Sequence, residues 1–194
     1  MVNGQYDGLV KFLSKVHPVK AEILTTYALE WTEFQTGIRE ILTSSGQTER
    51  HLYFVVEGIQ KSYYLHEGKQ HVMFFAYAPS FSGVVESFVT QTPSRYYLEA
   101  ITKSKLLRIS YQKHQYLLTQ HRELETLFRI ITENLLKGVI ERQHELLTFN
   151  SETRLRTFLS RSPHLINMIP HKDLASYLRI DPTNFSKMIN SMRI

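Results

Sequence analysis

Hydrophobic and polar positions follow successive patterns along this chain, and each pattern predicts a different kind of element. From residue 32 to residue 110, short runs of β-branched and aromatic residues alternate with turn residues such as Gly58 and Glu67-Gly68. Runs of this length with regular turn signals predict an antiparallel β-sandwich or barrel. A short helix over residues 5–16 precedes this region. The predicted strands span residues 38–42, 52–56, 59–65, 71–76, 96–101 and 106–109.

A helical pattern begins after Tyr111, where apolar residues recur mostly at i+3 and i+4 spacing and Arg142 interrupts the stripe. A helix this long with one apolar face needs a surface that buries that face. A second copy of the chain is the economical partner, which predicts a homodimer. The alternative is that the stripe packs on the barrel of its own chain. The predicted dimer interface contains Leu124, Phe128, Ile131, Leu135 and Val139.

The segment from Pro170 to Ile194 has the pattern of two short amphipathic helices around a tight turn. Asp181 is a predicted N-cap of the second helix. Pro182 suits its first position, because the N–H that proline lacks would have no partner there. Phe185 begins an apolar face that packs on the first helix. The pattern predicts a helix-turn-helix, whose second helix lies in the major groove of DNA. A plain helical hairpin with a solvated polar face is the alternative.

Arg179 occupies the turn position at which helix-turn-helix motifs usually carry glycine. That position requires a positive φ, which costs energy for any residue with a side chain. The sequence therefore leaves open whether the turn supports DNA binding.

The charge of the chain is concentrated near its C-terminus. The net charge is +5, and the segment from Asn150 onward contains seven Lys and Arg residues but only three acidic residues. Such an asymmetry is typical of a nucleic-acid-binding module attached to a neutral domain. The chain has no cysteine, which excludes disulfides and thiolate metal sites. With no apparent secretory signal or membrane-length apolar run, we expect a cytoplasmic protein without a membrane partner.

The order of barrel, long helix and helix-turn-helix resembles the cyclic-AMP receptor protein/Fnr family of bacterial transcription regulators. The resemblance covers residues 33–194. Within the family, the sequence looks like a divergent branch that is common in Bacteroidetes-type bacteria. It rests on ordered segments, namely Gly46, 52–58 (LYFVVEG), Gly68, 79–83 (PSFSG), 86–101, 169–170 (IP), 174–178 (LASYL) and 185–187 (FSK).

The resemblance implies an α+β fold in three parts. An N-terminal antiparallel β-barrel of the cyclic-nucleotide-binding type (a jelly roll), with flanking helices, would occupy residues 1–118 as a sensor. A long dimerisation helix would occupy residues 119–149, and a helix-turn-helix domain residues 150–194. The implied partners are double-stranded DNA, a second copy of the chain and, as a further candidate, RNA polymerase.

The ligand site of the family is altered in this sequence. In cyclic-nucleotide-binding members a Gly-Glu pair opens a phosphate cassette, and an Arg follows the next turn. Here valine stands at the Glu position, Ser94 stands at the Arg position, and Arg95 comes one residue later. On a strand, a one-residue offset turns the side chain to the opposite face. We expect that cyclic AMP is not the ligand, and we assign no cofactor. The predicted pocket for a small-molecule effector comprises Gly83, Val84, Val85, Glu86, Ser94 and Arg95.

The DNA-reading half carries over more closely, with Ser186-Lys187 where members often have Ser-Arg. Asparagine can pair with adenine, and lysine serves guanine or a phosphate. Arginine and lysine residues outside the second helix are better suited to backbone phosphates, where charge matters more than shape. The predicted base-reading residues are Thr183, Asn184, Ser186, Lys187 and Asn190, and the predicted phosphate contacts are Lys172, Arg154 and Arg156.

Two other functions compete with this interpretation. A regulator could keep the fold and act through protein contacts alone, with its helix-turn-helix degenerate at Arg179. A cupin-type metal enzyme could use the same barrel, but none of the nine histidines forms a His-x-His pair. No other catalytic pattern stands out, so we do not expect an enzyme.

Overall fold

The computed structural model describes residues 4–191, and of Gln5 the backbone only. By internal packing the chain divides into two compact units. One unit comprises residues up to 62 together with 75–135, and the other comprises residues 63–74 together with those from 136 onward. This division differs from the three predicted segments, because the tip of one β-hairpin packs with the C-terminal helices.

The elements follow one another in this order: a 3-10 turn (Gly4–Tyr6), α1 (Asp7–Val16), α2 (Ala21–Leu29), β1 (Thr32–Thr36), β2 (Ile41–Thr43), β3 (His51–Glu57), β4 (Ile59–His66), β5 (Lys69–Tyr77), β6 (Ser80–Ser82), α3 (Val85–Thr90), β7 (Tyr97–Ala100), β8 (Ser104–Ser110), α4 (Tyr111–Gln120), α5 (Arg122–Thr148), α6 (Ser151–Arg161), a second 3-10 turn (Pro163–Asn167), α7 (His171–Leu178) and α8 (Pro182–Ser191).

The strands form two four-stranded sheets, in the orders β1-β8-β3-β6 and β2-β7-β4-β5. The ladders of the first sheet are antiparallel, so the chain has an α+β fold with a jelly-roll-like β-region. Most predicted strands are confirmed, but the strand predicted over 38–42 is largely wrong. Arg39 there has a φ of 61°, and the N–H of Gly37 donates to the Glu40 carboxylate at 2.7 Å, so these residues form a turn.

Side chains that alternate along the strands of the first sheet contribute to two separate apolar cores, one on each face. Tyr53, Val55 and Leu106 face the second sheet, where Leu98 and Val84 complete a core between the sheets. The intervening residues, including Phe54 and Leu107, face the opposite way and pack against α1, α2, α4 and the start of α5. Since successive side chains of a strand point to opposite faces, one sheet serves both cores.

The first half of α5 belongs to this second core, and that corrects part of the predicted dimer interface. Leu124 is fully buried and Phe128 is 8 % exposed, both within the core of their own chain. Ile131 is half-buried against the same core. The helical period identified the stripe but could not tell which surface covers it. Leu135 and Val139 are exposed, together with Leu136 and Ile140 on the same helix.

The C-terminal helices have a small core of their own. Its buried residues are Leu155, Leu165, Ile166, Leu174, Ala175, Leu178 and Phe185. Among the helices between residues 4 and 191, none combines the length and the apolar character needed to cross a membrane.

Candidate functional site

Helices α7 and α8 are joined by the tight turn that the sequence predicts. Arg179 adopts the left-handed conformation, with φ 56° and ψ 44°. The N–H of Ile180 donates to the Ala175 carbonyl at 2.9 Å, and the N–H of Arg179 donates to the Ser176 carbonyl at 3.1 Å. These bonds satisfy carbonyls at the end of α7 in the way a Schellman cap does. The turn therefore forms although its left-handed residue is not glycine.

The start of α8 is capped as predicted. The Asp181 carboxylate accepts from the N–H groups of Thr183 (2.9 Å) and Asn184 (3.1 Å), and Pro182 is the first helical residue. Phe185 is fully buried and anchors one face of the helix. The opposite face is exposed, and it carries all the residues that the sequence predicts to read bases: Thr183, Asn184, Ser186, Lys187 and Asn190.

Arg154 has a different place from the one predicted for a phosphate contact. Its guanidinium donates to the carbonyl of Phe149 at 2.7 Å and to the carbonyl of Arg179 at 3.1 Å. Burial lowers its pKa, and the charges of Arg142 and Arg179 lower it further. Its two terminal nitrogens donate within the chain, whereas its buried Nε has no hydrogen-bond partner among the described residues. In this structure Arg154 therefore acts as a clamp on the turn, and its contact with a DNA phosphate stays a prediction.

The other two predicted phosphate contacts lie at the surface. Arg156 is exposed and pairs with Glu152, one helical turn away, at 2.8 Å. Lys172 is exposed in the first turn of α7. Both side chains can reach a ligand, and their contact with DNA stays a prediction.

A charged network that the sequence did not reveal holds α7 to α5. The guanidinium of Arg142 donates to the Tyr177 carbonyl and lies 4.2 Å from the centre of the Tyr177 ring. Glu145 pairs with Arg142 at 3.4 Å and also with Arg161 of α6. Burial lowers the pKa of Arg142. The residue that interrupts the apolar stripe is therefore the one that fixes the first helix of the motif.

A second contact joins α7 to the β4–β5 hairpin. The Ser176 hydroxyl accepts from the N–H of Val72 and donates to the carbonyl of Gln70, both at 3.0 Å. Strand β5 is an edge strand, so these main-chain groups have no neighbouring strand to pair with. The Ser176 hydroxyl thus pairs with one main-chain N–H and one main-chain carbonyl of the edge strand.

The residues of the predicted effector pocket differ in their exposure to solvent. Val84 and Ser94 are buried, whereas Val85 is exposed. Arg95 has a side chain that is 76 % exposed, and it pairs with the exposed Glu86 at 3.0 Å. The offset arginine and glutamate therefore neutralise each other at the surface. Gly83 has a φ of 146°, so it makes the turn into α3.

A buried carboxylate outside the predicted set organises the same segment. Glu49 is 2 % exposed, and it accepts from the Thr43 hydroxyl (2.7 Å) and from the N–H groups of His51 (3.1 Å) and Val84 (3.4 Å). Its own N–H donates to the Ser87 hydroxyl at 2.9 Å. Burial outweighs these hydrogen bonds and raises the pKa of Glu49. No sequence pattern marks this residue, because its role depends on contacts far along the chain.

Histidine, aspartate and glutamate side chains do not converge in groups of three or more at any point of the described chain, 4–191, where they could hold a metal ion.

Comparison with known proteins identifies the domain and the fold. Residues 32–121 match the family model of the cyclic nucleotide-binding domain. FixK2 from Bradyrhizobium japonicum superposes with a TM-score of 0.72 at 18 % identity, over 84 % of each chain. CLP from Xanthomonas campestris, described as a c-di-GMP responsive global regulator, gives 0.66 at 15 % identity, over 90 % of this chain and 92 % of its own.

The catabolite activator protein of Thermus thermophilus gives a TM-score of 0.58 at 14 % identity, over 93 % of this chain and 85 % of its own. No curated protein matches the chain by sequence. At these identities the similarity shows a shared fold.

Proposed function

From the fold that this chain shares with regulators of the cyclic-AMP receptor protein/Fnr family, we propose that it is a homodimeric, sequence-specific DNA-binding transcription regulator. The observation that carries the proposal is the geometry of α7, α8 and the turn between them. A left-handed turn residue, a capped second helix and a buried anchor leave one polar face of α8 exposed.

The exposed face of α8 has the chemistry of a base-reading surface. Asn184 and Asn190 offer the paired donor and acceptor that adenine requires, and Lys187 can address guanine or a phosphate. The Ser186 hydroxyl already donates to the Pro182 carbonyl at 3.0 Å, so it is left as an acceptor. The protein-contact alternative needs a degenerate motif, and the intact turn argues against that.

The second half of α5 supports the homodimer. Leu135, Leu136, Val139 and Ile140 form an exposed apolar stripe at helical spacing. A stripe of this kind is stable in water when a second helix covers it. The proposed interface is therefore the C-terminal half of the predicted one. Arg142 follows on the same helix and holds Tyr177, so a change in helix pairing has a direct route to α7.

The sensor is proposed not to respond to cyclic AMP. Arg95 is exposed and paired with Glu86, and the N–H of Val84 at the entry of α3 is directed to the chain's own Glu49 carboxylate. A cyclic phosphate at the entry of α3 would find Arg95 already paired at the surface and would lie near the buried Glu49 carboxyl group. Calorimetric titration with cyclic AMP should give no saturable heat. Tight stoichiometric binding would contradict this part of the proposal.

DNA selection tests the main proposal. The purified chain is incubated with sheared genomic DNA of its host, and the retained fragments are sequenced. A dimeric regulator should enrich an inverted repeat whose half-sites lie about 10–10.5 base pairs apart. No enrichment, with and without cell extract as a source of effector, together with salt-independent binding, would favour the protein-contact alternative.

The enriched site then tests the reading face. Lys187→Ala should weaken binding to it by about 1–3 kcal/mol. Lys11→Ala removes the same charge from an exposed position on α1 and serves as the matched control, with affinity unchanged. An equal loss in both variants would mean that α8 does not read the DNA.

A further inference from the structure

We propose that the sensor unit binds an uncharged, mainly apolar small molecule in a pocket on the helix-covered side of the first sheet, between α3, α4 and α5. This pocket is separate from the space between the two sheets. The binding of a small molecule in this pocket does not depend on the DNA-binding proposal. The role of the pocket as an effector site rests on that proposal.

The location of the pocket follows from strand alternation. Leu52 and Phe81 line it, and they pack with the core that the helices cover. Their neighbours Tyr53 and Ser82 are the residues paired across β3 and β6, and Tyr53 packs in the core between the sheets. Since adjacent residues of a strand face opposite ways, the pocket and the intersheet core lie on opposite faces of the same sheet.

The size and walls of the pocket define the class of ligand. Its volume is about 320 Å³, roughly twice the ~150 Å³ that accommodates benzene in an apolar protein cavity. Most lining side chains are aliphatic or aromatic, including Phe88, Leu118, Phe128 and Ile131. Pockets of this volume, apolar with a few polar groups, are the usual form of small-molecule sites. A fused bicyclic aromatic or an acyl chain of similar volume fits this description.

The polar groups of the pocket favour a neutral ligand. His114 is buried, and its Nδ1 lies 2.9 Å from the Tyr27 hydroxyl, so Nε2 is the ring nitrogen that a ligand can address. Burial lowers the pKa of His114 to about 4, which keeps the imidazole neutral at physiological pH. Arg129, at the rim, is largely exposed and already paired with Glu133. Glu125 also lines the pocket and is exposed, so the lining holds no buried charge that would attract an ion.

A ligand at this site would touch two elements at once. Val85, Phe88 and Val89 line the pocket from α3, and Phe128, Ile131 and Leu135 line it from α5. Val89 is exposed at the mouth and can be enlarged without disturbing a core. The ligand would thus connect α3 with the helix that carries the proposed dimer stripe.

The test uses the full-length chain in its native oligomeric state and the neutral fluorophore N-phenyl-1-naphthylamine, whose emission rises in apolar surroundings. We expect saturable binding of one probe per chain. Val89→Trp should weaken it at least 10-fold, and Leu135→Trp provides a second pocket variant should the first fail to fold. Ile38→Trp enlarges an exposed apolar residue outside the pocket and should leave binding unchanged.

Two outcomes would overturn the proposal. Absence of saturable binding in the native oligomer would mean that a second copy fills the pocket. Equal binding by wild type and both pocket variants would place the probe on another apolar surface. DNA binding by the same preparations is measured separately with the enriched operator. A failure of the ligand site is thereby distinguished from a failure of the proposed function.

Discussion

The guanidinium of Arg154 donates to the main-chain carbonyl of Arg179 at 3.1 Å. Arg154 therefore stabilises the turn in which Arg179 adopts the left-handed conformation. The same guanidinium binds the Phe149 carbonyl at 2.7 Å and so also connects the end of α5 to the turn between α7 and α8. Hydrogen bonds that involve a charged donor contribute more than neutral ones.

Arg154→Ala should therefore lower the free energy of unfolding by about 2–4 kcal/mol, because charged hydrogen bonds to two carbonyls are lost. Arg156→Ala is the matched control on the same helix. Its exposed pair with Glu152 should contribute no more than about 0.5 kcal/mol. Urea denaturation of both variants measures the difference. Equal stability of the two variants would show that the hydrogen bonds of Arg154 do not contribute to the free energy of unfolding in solution.

Arg179→Gly should stabilise the chain by up to about 1 kcal/mol, since glycine adopts the left-handed conformation without the steric cost of a side chain. Arg179→Val should destabilise it, because a β-branched residue tolerates a positive φ poorly. The denaturation midpoint of each variant checks the order. A more stable valine variant would mean that the turn is not left-handed in solution.

Ser176→Ala should open the edge of β5 at Val72. The variant removes both the acceptor for the Val72 N–H and the donor to the Gln70 carbonyl. Hydrogen exchange at the Val72 amide should accelerate by about 10-fold, corresponding to about 1.4 kcal/mol. Ser186→Ala removes a hydroxyl that bonds only within α8 and is the control. Unchanged protection at Val72 would show that α7 does not engage the hairpin in solution.

His114 should make the stability of the chain depend on acidity. Its folded-state pKa of about 4 lies below the ordinary 6.5 because of burial, so the unfolded chain takes up the proton first. Stability from this group is complete above pH 6.5 and falls by about 3 kcal/mol as the pH decreases to 4. His114→Gln keeps a polar group beside Tyr27 and should remove that slope. The same slope in both proteins would assign it to other groups.

Val139→Lys should convert the proposed dimer to a monomer, since the exposed stripe of α5 would then bury an unpaired charge at a cost of several kcal/mol. Leu29→Lys alters an equally exposed apolar residue on α2 and should leave the mass unchanged. Light scattering after gel filtration reports the mass of each variant. A dimeric Val139→Lys protein would move the interface elsewhere.

Local signals in the sequence were sufficient for much of the fold. Gly58 and Glu67-Gly68 mark turns that have positive φ values, and Asp181 with Pro182 starts a helix where expected. These features depend on near neighbours along the chain. The sequence does not indicate the turn over 37–40, because Ile38 suggests a strand, whereas the Glu40 carboxylate and the left-handed Arg39 close the turn.

Long-range partners explain what the sequence could not predict. A helical stripe does not indicate whether its own chain or a second copy covers it, so the pattern alone does not place Leu124 and Phe128 in the core of their own chain. Positive charge suggested the same role for Arg154 and Arg156, yet a carbonyl 25 residues away fixes the first of them. Glu49 meets the α3 segment 35 residues downstream, and no periodic pattern encodes that contact.

The buried Glu49 carboxylate has a consequence for the energetics of any sensing event. Its carboxylate accepts from the N–H of Val84, its N–H donates to the Ser87 hydroxyl, and its carbonyl accepts from the Gln91 side chain. Residues 84–91 are therefore held in place without a ligand. Ordering a loop typically opposes binding by about 1–2 kcal/mol for each residue that is fixed. In this chain that entropy is already lost when the protein folds. A ligand that touches α3 therefore meets a rigid wall, and its affinity depends on fit rather than on the cost of disorder.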